Sequence, residues 1–73
     1  MKGTVAIFKS KNDTQSFFYA LKRYGIKCRI VSTPVTVAHS CGISVLFDKT
    51  DLIKAEKVLK SGRFYSFIGF YNL

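Results

Sequence analysis

The chain has 73 residues, 48% of them apolar, and its twelve Lys plus Arg against four Asp plus Glu give a net charge of +8. That length excludes a second core, because a chain this short buries only about 60% of its unfolded surface, so residues 1–73 read as a single domain. Seven Phe and four Tyr exclude intrinsic disorder, and no run approaches the roughly 18 apolar residues of a membrane span.

The surplus of cations favours anionic partners: nucleic acid, an acidic protein, an anionic surface or a small anion. It also serves solubility, so charge alone does not choose among them. Met1-Lys2-Gly3-Thr4 lacks the apolar region and cleavage site of a signal peptide. A cytoplasmic location is therefore expected, where two cysteines remain reduced thiols.

Thr4-Val5-Ala6-Ile7-Phe8 reads as a first strand, ended by the polar cluster Lys9-Ser10-Lys11-Asn12-Asp13. Asn12 or Asp13 can cap the helix that follows, with Gln15 placed as in a capping box. Phe17, Ala20, Leu21 and Tyr24 recur at helical spacing and would face a sheet, and Gly25 suits a left-handed C-terminal cap. Ile26 to Ser32 alternates as a half-buried strand near an edge, with Cys28 and Ile30 on one face and Lys27, Arg29 and Val31 on the other. A ten-residue loop, Thr33 to Gly42, leads into the apolar strand Ile43-Ser44-Val45-Leu46-Phe47.

Asp48-Lys49-Thr50-Asp51 offers caps for a second helix whose apolar stripe is Leu52, Ala55, Val58 and Leu59, with Gly62 as its stop. Phe64 to Tyr71 is aromatic and β-prone, a fourth strand. The order β-α-β-β-α-β predicts an α+β, ferredoxin-like sandwich: an antiparallel sheet with both helices on one face.

In the strand order 4-1-3-2, the loop between strands two and three emerges where helix one begins. Cys41 and His39 would then share an end with Lys9, Lys11 and Arg63. Cations and a helix N-terminus lower a thiol pKa, so Cys41 is placed to be a nucleophilic thiolate. Gly42 lets the backbone turn sharply there, and Pro34 stiffens the loop. Cys28 should lie more than ~10 Å away, at about 3.3 Å per strand residue, beyond the roughly 7 Å a disulfide spans. It reads as a buried core cysteine.

His39 is either a surface loop residue or a proton donor for Cys41. No metal is expected, since His39, Cys41 and a distant Cys28 offer at most three ligands, and no cofactor motif such as a phosphate-binding Gly-rich loop is present. The element order is shared with RRM domains, which makes RNA a conceivable partner. However, Ile43 and Val45 stand where that module needs stacking rings, which disfavours it. Tyr65, Phe67 and Tyr71 would be core residues, an aromatic surface or a contact between two copies.

At Thr33-Pro34 and Ser40-Cys41-Gly42-Ile43 the chain resembles a selenium/sulfur-carrier-like family of small bacterial proteins, over roughly Thr4 to Tyr71. Its loop has Val35 where the family shows arginine and Ser32 where it shows a first proline. The resemblance implies that Cys41 carries a persulfide or selenium adduct, with Ser40 and Gly42 as motif neighbours. It further implies a donor or acceptor protein as partner, and a covalent carrier rather than a free-standing enzyme.

Overall fold

The structure is a computed structural model that describes residues 3–33 and 42–72. The elements run β1 (Gly3–Phe8), α1 (Lys11–Arg23), β2 (Cys28–Ser32), β3 (Ile43–Asp48), a 3-10 turn (Lys49–Asp51), α2 (Leu52–Ser61) and β4 (Phe67–Asn72). They build an α+β fold with one four-stranded sheet in the order β2-β3-β1-β4. Every neighbouring pair is antiparallel, with β1 between β3 and β4.

Alternation along β1 sends Ala6 and Phe8 to one side of the sheet and Val5 and Ile7 to the other. On the first side, Ala6, Phe8, Val45 and Phe47 meet Phe17 and Leu21 of α1 and Ala55 and Val58 of α2 in one buried cluster. The Phe8 ring is its hub, with centroids 5.3 Å from Phe17, 5.8 Å from Phe64 and 5.3 Å from Phe67. Each fully buried Phe contributes on the order of 1.5–3 kcal/mol, so this cluster is the main source of stability. On the second side, Val5, Ile7 and Leu46 form a smaller buried cluster flanked by Val31 and Ile68.

The α1 C-terminus ends as its sequence suggests. Gly25 takes φ 75°, its N–H bonds Lys22 O at 3.0 Å, and Ile26 N–H bonds Leu21 O at 3.0 Å. These two bonds satisfy the last carbonyls, and the buried Ile26 supplies the accompanying apolar contact. Tyr24 is the cap residue and stands 65% exposed, so it does not face the sheet.

The N-terminus differs from the sequence reading. Ser10, not Asn12 or Asp13, is the N-cap, and its Oγ accepts from Asp13 N at 3.3 Å. The helix therefore starts two or three residues earlier, and Gln15 is exposed outside any capping box.

Three further boundaries shift. β2 starts at Cys28 because the α1 cap consumes Gly25 and Ile26, and β4 starts at Phe67 because Phe64 turns inward onto Phe8 and Phe17. A 3-10 turn precedes α2, with Asp48 accepting from Thr50 N and Thr50 Oγ1, both at 3.0 Å. Gly62 does end α2, but in an extended conformation with φ −103°.

What Gly62 provides is room, since a Cβ there would run into the Phe64 ring. Gly62→Ala should therefore lower the urea-unfolding free energy by about 1–3 kcal/mol, through displacement of that ring from the core. An unchanged midpoint would mean that the ring moves aside without cost.

Candidate functional site

Because β1 is antiparallel to both neighbours, its last residues lie where β3 and β4 begin. Ile7 pairs with Ser44 and Phe8 with Phe67. Lys9 follows Ile7 by two residues and Gly42 precedes Ser44 by two, so both lie at this end of the sheet. The hairpin of β2 and β3 extends one step past the strands, with Thr33 N–H donating to Gly42 O at 3.0 Å and the Thr33 and Ser44 hydroxyls 2.7 Å apart. Gly42 has φ +91°, a backbone conformation that glycine adopts without strain. The two stems of the loop are thus tied together at this end. Pro34, His39, Ser40 and Cys41 lie outside the described residues.

The same end holds a hydrogen-bonded lock. Asp13 Oδ2 accepts from Ser66 N at 3.1 Å and from Ser66 Oγ at 2.6 Å. Ser66 Oγ accepts from Ser10 N at 3.1 Å, and Ser66 O accepts from Lys9 N at 2.9 Å. The start of α1 is therefore fixed to the turn between α2 and β4. Asp13 carries a clear helix-start signal in the sequence, but nothing near Ser66 marks it as a partner 53 residues away.

Lys9, Lys11, Lys60 and Arg63 are exposed at this end, around the N-terminus of α1. Lys22, Arg23, Lys27 and Lys49 are equally exposed at the opposite end, so cations surround the molecule. What distinguishes the Gly42 end is the positive pole of α1 together with its placement of acids: Asp13 is here, whereas Asp48 and Asp51 follow β3 at the far end.

Cys28 opens β2 opposite Phe47, at that far end. It is half-buried rather than a full core residue, because β2 is an edge strand. Its Sγ donates to Phe18 O at 3.6 Å. Burial pushes the thiol pKa up, and the nearby Lys22 ammonium only partly opposes this. A pocket of about 360 Å³ opens beside it, lined among others by Lys27, Leu46 and Asp51. That pocket is remote from Gly42, and the thiol facing it is the less nucleophilic kind.

The sheet positions bear on RNA recognition. Val45 faces the helices, and Ile43 shares its side by alternation, so the β3 residues of the other face are Ser44 and Leu46. No ring stands at either position. Val5 and Ile7 beside them are fully buried, which removes the central strand as a stacking platform. Phe67 is half-buried against Phe8 and Phe70, whereas Tyr65 is 88% and Tyr71 43% exposed.

Residues 3–67 match the family model described as Putative Se/S carrier protein-like. The chain belongs to that family. The matched span runs from the start of β1 to the start of β4 and includes the loop with Cys41. No curated protein and no solved structure matches the chain. Among the described residues of this Se/S carrier-like chain, no helix is long and apolar enough to cross a membrane. Nor, among them, could any group of three or more His, Cys, Asp or Glu hold a metal ion.

Two outcomes test this geometry. In Cys41→Ser protein at pH 8, Cys28 should react with iodoacetamide on the order of tenfold more slowly when folded than in urea. Equal rates would contradict its raised pKa. A thiol whose folded pKa lies above its unfolded value stabilises the fold below the unfolded pKa, and that contribution is lost as pH rises through the folded pKa. Asp13→Ala should cost about 1–3 kcal/mol in chemical denaturation, since it leaves Ser66 N–H and Oγ without their acceptor.

Proposed function

We propose that this protein is a covalent carrier of sulfane sulfur or selenium, with Cys41 as the accepting thiol. Family membership supports the cargo class. The observation that carries the assignment to Cys41 is the position of Gly42, to which Cys41 is peptide-bonded. Gly42 lies two residues before Ser44, the β3 partner of Ile7, at the end of the sheet where α1 begins. A thiol arriving there is within the influence of exposed cations and a positive helix pole, both of which favour the thiolate.

The transfer balances without an external oxidant. The Cys41 thiolate attacks the terminal sulfur of a donor persulfide, R–S–SH. A bond forms between Cys41 Sγ and that sulfur, the donor S–S bond breaks, and its electron pair leaves with the donor as R–S⁻. Selenium moves in the same way from R–S–SeH. Release to an acceptor thiolate is the reverse step with a different partner, so the protein shuttles cargo rather than turning over a substrate.

Within this reading Ser40 and Gly42 flank the thiol, Pro34 stiffens the loop, and His39 is the nearest group in sequence that could supply a proton. Lys9, Lys11 and Arg63 would stabilise the thiolate and steer anionic species. We read the fold as ferredoxin-like, supported by the order β4-β1-β3-β2 and the core shared by both helices on one side of the sheet. A cytoplasmic setting suits a carrier that must begin as a reduced thiol.

Mass spectrometry of reduced protein treated with glutathione persulfide tests the assignment. The peptide containing Cys41 should gain about 32 Da, or about 80 Da with a selenium donor, and Cys28→Ser should gain the same. Cys41→Ser should gain nothing. An adduct on Cys28 alone, or none on the wild type, would overturn the proposal.

A further inference from the structure

The turn between α2 and β4 has an unusual construction. Phe64 and Ser66 are both anchored, the first by its ring against Phe8 and Phe17, the second by hydrogen bonds to Lys9, Ser10 and Asp13. Between these anchors Tyr65 is 88% exposed, and Arg63 beside them is exposed as well.

A tyrosine held out from a fixed backbone makes few contacts of its own, so it adds little to folding. It does keep a large amphipathic ring ready for a partner at small entropic cost, because only its side-chain torsions remain to be ordered. Tyr and Arg are also the residue types that dominate binding energy at protein interfaces.

The charge around the turn selects the partner. Lys9 and Lys11 are exposed next to residues bonded to Ser66, and Lys60, in the last turn of α2, is exposed three residues before Arg63. Of the nearby acids, Asp13 has an oxygen engaged by Ser66, and Glu56 lies one turn before Lys60 on α2. A second copy of a +8 chain would be repelled here, whereas an acidic protein surface would be attracted and oriented.

We propose that this turn is the docking surface for an acidic protein, with Tyr65 and Arg63 as its anchors and Lys9, Lys11 and Lys60 as its basic rim. Resting on the carrier reading, that protein is the one that gives or takes the sulfur or selenium. It would be held beside the end of the sheet from which the loop of Cys41 departs.

An NMR titration of the ¹⁵N-labelled protein with a glutamate–tyrosine random copolymer at low salt tests the docking surface. Shifts should concentrate at Lys9, Lys11 and residues 60–66. Tyr65→Ala and Arg63→Glu should each weaken binding on the order of fivefold to tenfold. Arg23→Glu carries the same charge change at the far end of α1 and should have a much smaller effect. Tyr65→Ala should melt with the wild type, as an 88% exposed ring does not support the core.

No binding, shifts spread evenly over the cations, or equal loss in Arg23→Glu and Arg63→Glu would each overturn the proposal. So would a single-stranded RNA that binds the same residues more tightly than the copolymer. Cys41→Ser protein should dock as well as the wild type. Docking that persists in a chain whose Cys41 accepts no sulfur would sink the carrier reading while leaving this surface in place.

Discussion

The direction of one strand decides the layout of this protein. β1 is central and antiparallel to both neighbours, so the residues that leave it must lie beside those that enter β3 and β4. Lys9 and Ser10, Gly42 and Ser66 therefore meet at one end, although Ser10 and Ser66 are 56 residues apart in the chain and Lys9 one further. Reversing either pairing would send the loop of Cys41 or the turn of Tyr65 to the other end. No side-chain chemistry could then bring them together.

That end is held rigid by complementary means. Below it, the Phe8, Phe17, Phe64 and Phe67 rings fill the space between sheet and helices. Above it, the Asp13 carboxylate joins the α1 start to Ser66, and Ser66 reaches back to Lys9 and Ser10. The ring packing is non-directional and fixes distance, whereas the hydrogen bonds are directional and fix orientation. Together they hold two chain turns and a helix start against each other.

The two cysteines are separated by the same topology. Cys28 enters β2 at the far end, where partial burial keeps its proton bound, and its thiol is occupied with Phe18 O. Cys41 is joined to the end that carries the helix pole and the tied loop stems. One sulfur, that of Cys28, is thus kept quiet by its surroundings. The basic surface does not by itself make this distinction, since cations occupy both ends.

The sequence alone determined the elements, because the periods of Phe17–Leu21 and Ala55–Val58, the alternation of β1 and β3, and the Gly25 cap are local properties of the chain. It also placed Cys41 beside Gly42 and carried the family likeness, both of which are facts of covalent order. Only the tertiary structure decided that the Asp13 side chain turns to Ser66, a partner 53 residues distant that no local pattern announces. It likewise decided that Phe64 leaves the fourth strand for the core and that Tyr65 stands free, since which ring is buried depends on the space between a sheet and two helices.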